Sequence, residues 1–535
     1  SLRDRLAPDT LAADSLQAYR GGYLPRERRS IERGLRNGEV RGVAATNALE
    51  LGVDIGELSA CVLVGYPGTI ASTRQQAGRA GRRLGSSATV LVATANPLDQ
   101  YIITHPQYLF DRSPEHALIN PNNLVILVNH LRCAAFELPF EIGETFGEVG
   151  EVKDILDFLS DAGDLNRGRN RYHWVADGYP AAAVSLRCGS NDNFVIQDVS
   201  DPDRPEVIGQ LERESCPSLL HEGAIYRHRG QSFLVEALDW EGARADVRRI
   251  SAEYHTRASL SCSLQVLRVE ESVRAGMVRK HHGDVLVTSQ ATAYRKVKST
   301  TNETLGWGEI DLPSQELETT GYWITLMPEL TTELQEAKVL LAPIDYGPNW
   351  VEQRAKAAAR DHGRCQHCGA QERPGRRHDV HHVQPFRTFG HISGVDERYS
   401  QANALRNLIT LCPICHRRAE SRVRIPSPIS GLAGVLRNLA PLYLMCDAHD
   451  ILVLTGDDGP TVTVYERVSA GVGFSQHLYA LHTELLEAAL DLIGACPCLD
   501  GCPACVGPVI AGGACGGPPD TKRGTLILLE GMLRA

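Results

Sequence analysis

Two cysteine pairs, Cys365-x2-Cys368 and Cys412-x2-Cys415, stand 43 residues apart. Paired thiolates at this spacing match one tetrahedral zinc site, which takes four soft, deprotonated ligands and leaves no open position. Between the pairs runs Asp379-Val380-His381-His382-Val383-Gln384-Pro385, and Asn407 and His416 flank the second pair. Imidazoles titrate near neutrality, so such a group can hold a metal or take a proton from water. A second run, Cys496-x-Cys498-x3-Cys502-x2-Cys505, is punctuated by Pro497, Gly501 and Pro503 and forms a compact loop of four thiols. Zinc is its first choice and an iron–sulfur cluster its second. Cys515 is the most distant cysteine and the expected non-ligand. A third constellation is Gln75-Gln76-Ala77-Gly78-Arg79-Ala80-Gly81-Arg82. Its glycines let the backbone approach a phosphate, and its guanidiniums can neutralise charge on a transferring phosphoryl group. Taken alone, the same stretch reads as a solvated arginine-rich turn.

The elements that must position these residues are partly visible. Apolar runs at 43–45, 60–65 and 87–95 alternate with helical stretches, which predicts a parallel α/β sheet. Residues 120–139 predict a mostly apolar helix, and 194–199 and 232–238 predict short strands. Apolar residues at 478, 481, 485, 486, 489 and 493 predict one amphipathic helix, which core packing explains fully. His221, His255 and the His281-His282 pair carry no metal spacing and read as surface or packed histidines. His378 and His391 read as surface histidines, and His367 as a non-ligand.

Thr46-Asn47-Ala48-Leu49-Glu50-Leu51-Gly52-Val53-Asp54 followed by the Gln75–Arg82 run resembles motifs V and VI of superfamily 2 helicases. The segment 19–29 resembles the upstream part of the same second RecA-like lobe. The resemblance implies that Gln75, Arg79 and Arg82 face ATP, and that Gly52 and Asp54 link ATP to DNA. A P-loop needs Gly-Lys-Ser/Thr, yet none of the seven lysines follows a glycine. The chain is therefore expected to use ATP only with a first, N-terminal helicase lobe, supplied in cis or in trans. Phrases at 112–117, 220–226 and 317–323 resemble the linker and winged-helix region of MrfA-type helicases.

The 365–416 constellation resembles the HNH endonuclease family in its zinc-knuckle form, whose core is a ββα-metal finger. By that resemblance His382 is the general base, and His381 and His416 hold a catalytic Mg2+ or Mn2+. Asn407 orients the base or assists the metal, and Asp379 is an outer contact. The 440–451, 471–474 and 496–505 segments resemble the MrfA zinc-binding (MZB) domain, in which the cysteine cluster is structural. Cys446 lies in that stretch without a second cysteine nearby and reads as a buried thiol.

Charge is distributed to match. The net charge of −10 conceals a segment at 350–424 with 14 Lys plus Arg against 7 Asp plus Glu, and 7 of the 19 histidines. Such a +7 island suits a phosphate backbone. At 535 residues the chain should hold several domains. We expect a multidomain α/β plus α+β protein: a RecA-like helicase lobe (1–98), a linker and winged-helix-like, β-rich middle (99–345), a ββα-metal HNH insertion (346–424) and a C-terminal zinc-binding domain (425–535). The expected partner is DNA, with no membrane contact. Ser1 and the mid-domain character of the first residues predict a fragment or the downstream half of a split gene. No apolar signal segment is present, so the cytoplasm is expected. A nuclease joined to a translocase fits DNA repair or phage defence. The competing expectation is a non-catalytic, zinc-containing DNA-binding subunit that works with a separate ATPase.

Overall fold

A computed structural model describes residues 15–50, 58–81, 86–94, 96–115, 120, 123–147, 149, 152–184, 193–337, 339–340, 345–372, 377–391, 395–412, 415–416, 428–456, 460–507 and 521–534. The first strands pair in parallel, as the alternation with helices requires. Leu16–Tyr19 runs beside Gly42–Ala45, and Ala60–Val64 beside Ala88–Val92. The helix Pro25–Asn37 joins the first pair. It opens on a proline whose fixed φ suits a first turn and closes on Gly38 at φ 76°, a left-handed cap that a glycine adopts without strain. The helix Ile70–Ala77 lies between the second pair. Thr69 caps it by accepting from the Ser72 amide, and the Glu115 carboxylate accepts from the Ile70 and Ala71 amides.

Residues 123–174 form a small unit of two helices, Leu124–Glu137 and Val152–Asp161, against three short strands. Leu131, Leu159 and Tyr172 fill its core. A five-stranded sheet follows, which includes the expected strands as Asn193–Asp198 and Gln231–Asp239.

The largest sheet explains how the later segments fit together. Tyr254–Ala275 and Val278–Lys298 form a long hairpin, joined in order by Gln315–Leu326, Thr461–Glu466 and Ile451–Thr455. Trp323 faces Thr463 across the third and fourth strands. Residues on both sides of the 346–424 segment thus belong to one sheet. They also share one core, in which Tyr322, Ile324 and Leu330 pack with Leu436, Leu485 and Leu528, and with Ile70 and Ile102 from the N-terminal part. The segments expected to be separate at 99–345 and 425–535 share one sheet and one core here, since Gln315–Leu326 pairs with Thr461–Glu466 and both supply residues to the same buried cluster. The 345–416 stretch keeps small cores of its own, around Ala357, Val380 and Leu408 and around the four cysteines.

Glu466 is wholly buried at this junction. It accepts from the Val472 amide, the Ser475 amide and hydroxyl, and the Thr320 hydroxyl. The single helix expected at 478–493 is instead two, Phe474–Ala480 and His482–Ala495, with the break at Leu481. His482 follows the break and is buried, with its Nδ1 2.6 Å from the buried Tyr322 hydroxyl. Burial pushes the His482 pKa down to about 4, and Lys280 adds to the shift. Protonation is therefore resisted by the folded state, and stability present above the ordinary histidine pKa near 6.5 is lost as pH falls toward 4. The contribution is about 3 kcal/mol. His482→Gln should flatten the dependence of the unfolding midpoint on pH between 6.5 and 4. An equally steep dependence in the variant excludes this histidine as its source. No helix among the described residues is long and apolar enough to cross a membrane.

Candidate functional site

The four thiols at 365, 368, 412 and 415 converge: every ligand atom lies within 4.8 Å of the others, with Cys368 Sγ 3.7 Å from Cys412 Sγ. The first knuckle turns at Gly369, φ +79°, whose amide donates to the Cys365 carbonyl at 2.8 Å. Burial raises the Cys365 thiol, but amides of residues 412, 368 and 367 outweigh it and bring the pKa to about 6. Burial raises Cys412 to about 11 and pushes Cys415 up further. Four thiols this close cannot all ionise beside one another, and a divalent cation removes that conflict. His367 stays exposed, its Nδ1 3.5 Å from Cys415 Sγ, as an outer neighbour of the cluster.

The second cluster converges equally. Cys496 Sγ lies 3.5 Å from Cys498 Sγ and 3.6 Å from Cys502 Sγ, and Cys505 Sγ lies 3.5 Å from Cys498 Sγ. Lys522, from the helix Thr521–Leu533, donates to the Cys496 and Cys498 carbonyls at 2.6 and 2.8 Å. The ammonium ties the loop to the core and places positive charge beside it. Nothing in the cysteine spacing points to this lysine. Cys446 is buried, as expected. Cys515 lies outside the described residues.

The paired histidines sit on the strand Asp379–His382, antiparallel to Leu408–Leu411. Alternate strand residues face opposite ways, so His381 and His382 diverge. On one face, the His381 and His416 rings stand edge to face with centroids 5.2 Å apart, and Asp379 Oδ2 lies 3.4 Å from His416 Nδ1. The hydrogen bond to His416 holds the Asp379 carboxyl below its ordinary pKa. On the other face, His382 is 8% exposed and stacks on Trp350 and Tyr346 at centroid distances of 4.8 and 5.4 Å. Its Nε2 lies 2.9 Å from Asn403 Oδ1. The Asn403 amide is oriented without ambiguity, since its Nδ2 donates to the Tyr346 carbonyl at 2.6 Å and to Asn349 Oδ1 at 2.7 Å. Nε2 of His382 must therefore carry the proton, leaving the lone pair on Nδ1. Burial lowers the His382 pKa, partly opposed by Asn403, so the ring is neutral at pH 7.

Asn407 acts on backbone. Its Oδ1 accepts from the Gln384 amide at 2.8 Å, and its Nδ2 donates to the Gln384 and Ala402 carbonyls. It clamps the loop that continues from His382 and touches neither imidazole. His378 and His391 are not surface histidines. His378 is buried with Nε2 3.0 Å from the Ala370 carbonyl, and His391 Nδ1 lies 2.9 Å from Asp396 Oδ1 with its ring against Phe386 and Tyr399. A module with little aliphatic core uses these rings as packing groups. His221 and His282 are buried, and His281 stacks on Trp323.

In the helicase-like lobe, Gln75 is exposed on the helix Ile70–Ala77, and Arg79 is buried beyond its end with its guanidinium donating to the Glu50 carbonyl. Gly52, Asp54 and Arg82 lie outside the described residues.

Fold and sites define a helicase-type protein that also carries an HNH domain. The helicase conserved C-terminal domain family matches residues 10–83, the ATP-dependent helicase HRQ1 winged helix domain 119–188, the HNH endonuclease family 365–422 and the MrfA Zn-binding domain 432–506. The chain is 38% identical over 512 residues to the Bacillus subtilis (strain 168) "Uncharacterized ATP-dependent helicase YprA", covering 95% of this chain and 57% of that protein. It is 32% identical over 334 residues to the Saccharomyces cerevisiae ATP-dependent helicase HRQ1, covering 61% of this chain and 30% of that one. The crystal structure of DUF1998 helicase MrfA bound to DNA superposes with a TM-score of 0.58 at 38% identity, over 97% of this chain and 57% of the other. The complex of MrfA with DNA and AMPPNP gives 0.57 at 36%, over 98% of this chain and 57% of the other. The chain belongs to the MrfA-like helicases, and it spans little more than half the length of the relative it matches over most of its residues.

Proposed function

We propose that this chain is part of an ATP-dependent DNA helicase or translocase and carries a metal-dependent HNH endonuclease that hydrolyses DNA phosphodiesters, in DNA repair or phage defence. The observation that carries the nuclease reading is the hairpin that brings His381, His416 and Asp379 together beside a four-cysteine site while Asn403 fixes the tautomer of His382. Zinc fits both cysteine clusters. When bound, a catalytic Mg2+ or Mn2+ would be held by His381 and His416 and would offset charge on the scissile phosphate. By the HNH resemblance His382 is assigned as the base, with Nδ1 its basic nitrogen; Asn403 holds its ring, and Asn407 holds the loop behind it. Relatives named as ATP-dependent helicases, and an MrfA structure with DNA and AMPPNP, support DNA and ATP as ligands of the longer architecture. By the helicase resemblance, Gln75, Arg79 and Arg82 serve ATP held by a first lobe, and Gly52 and Asp54 connect it to DNA. The protein is proposed to work in the cytoplasm.

One observation favours a second reading, a non-catalytic DNA-binding subunit beside a separate ATPase: His382 lies in an aromatic box with one nitrogen already bonded. Supercoiled plasmid incubated with the protein and Mg2+ or Mn2+, with and without ATP, separates the two. Nicking by the unaltered protein and none by His382→Ala is the expected result. Equal nicking by both, or none by either under any metal, removes the nuclease assignment.

A further inference from the structure

The long hairpin presents a charged row with no internal explanation. In the pairing of Tyr254–Ala275 with Val278–Lys298, Arg257 stands directly opposite Arg295. On the other side of the same strand, Thr304–Glu309 sets Trp307 directly opposite Arg295. Directly paired residues share a face, so Arg257, Arg295 and Trp307 form one row across three strands, roughly 10 Å wide. His255, two residues from Arg257, lies on the same face. Arg257 is exposed, and Arg295, Trp307 and His255 are half-buried.

Like charges directly opposite on a sheet are destabilising. Here no carboxylate relieves them: among the described residues neither the Arg257 nor the Arg295 guanidinium makes a side-chain hydrogen bond or ion pair. A third guanidinium, Arg227, stands nearby and donates to Ser299 Oγ at 3.0 Å. After burial, the groups acting most strongly on His255 are these three cations, all opposing its protonation. The fold thus keeps a repulsive cluster that an external anion would relieve, with flat rings beside it.

We propose that the Arg257–Arg295–Trp307 row is a single-stranded DNA contact, with the two guanidiniums on phosphates and a base stacked on the Trp307 indole. This rests on the reading of the chain as part of a DNA-acting helicase. Duplex DNA offers phosphates but keeps its bases paired, so an aromatic beside the cations selects the single strand.

The test is fluorescence anisotropy of a labelled oligothymidylate across a salt series. The unaltered chain is compared with Arg257→Ala/Arg295→Ala, Trp307→Ala and Arg257→Glu. Losing two phosphate contacts should lower the slope of log affinity against log salt by about 1.4, with at least a roughly tenfold loss of affinity at 0.1 M salt. Trp307→Ala should weaken binding roughly 5- to 150-fold with the slope retained. Arg257→Glu should raise Tm, since it replaces a repulsive cross-strand pair by an attractive one, while weakening binding. Binding by the unaltered chain with the same affinity and slope in the double variant overturns the assignment of this row alone. No binding by the unaltered chain overturns it together with the DNA reading on which it rests.

Discussion

His382→Ala is expected to slow metal-dependent phosphodiester cleavage by roughly 10²–10⁴-fold, the usual contribution of a positioned general base, while both zinc ions remain bound. The argument rests on the tautomer. Asn403 Nδ2 is committed to two acceptors, so Oδ1 faces His382 and the ring must donate from Nε2. Nδ1 is then the basic nitrogen. Trp350 and Tyr346 pack against the His382 ring and against each other, which fixes the ring plane. Asn403→Ala should therefore lower kcat by at least about tenfold with KM little changed, because it loosens the base without removing a phosphate contact. A rise in KM at unchanged kcat in that variant would contradict a role for Asn403 in positioning the base. His382→Ala that still cleaves at the original rate, with metal content intact, leaves His382 as packing only.

Cys412→Ser should release one of two zinc equivalents, unfold residues 345–416 and abolish cleavage, while the main body keeps its fold. The reason is the size of the cores. Around the hairpin Ala357, Val380 and Leu408 form one small buried apolar group among the described residues, and the other group contains three of the four cysteines themselves. Structural zinc contributes roughly 10–16 kcal/mol of apparent binding free energy in small domains, far more than these few side chains supply. The matching change at the other site, Cys505→Ser, should spread further. That thiol is wholly buried in the shared core beside Leu485 and Leu528, and the loop is bolted to the last helix by Lys522. Metal analysis by mass spectrometry and limited proteolysis give the readout. Two zinc equivalents and an undigested 345–416 segment in Cys412→Ser would falsify the structural assignment.

Some of this was legible in residue order alone. The ligand sets Cys365, Cys368, Cys412, Cys415 and Cys496, Cys498, Cys502, Cys505 converge as their spacing predicts, because a CxxC knuckle is a local structure. Parallel strands at 60–64 and 88–92 and the helix at 124–137 appear where apolar periodicity places them. The broken helix at Leu481 was not legible, since the stripe of apolar residues continues across the break and the partner that His482 meets beyond it, Tyr322, is 160 residues away. The packing of His378 and His391 was equally hidden, as their partners Ala370, Asp396, Phe386 and Tyr399 are apolar or polar residues without a motif.

By itself the sequence determined the chemistry available: which thiols can share a metal, which histidines stand side by side, and that no lysine can serve a P-loop. Only the tertiary structure decided how that chemistry is aimed. Strand alternation sends His381 and His382 to opposite faces, Asn403 selects one nitrogen of His382, and cross-strand register lines up Arg257, Arg295 and Trp307. It also fused segments on either side of 346–424 into one sheet and one core. The physical reason is range. Spacing along the chain encodes geometry within a turn or a knuckle, whereas the partner across a sheet is chosen by which apolar faces must be buried together.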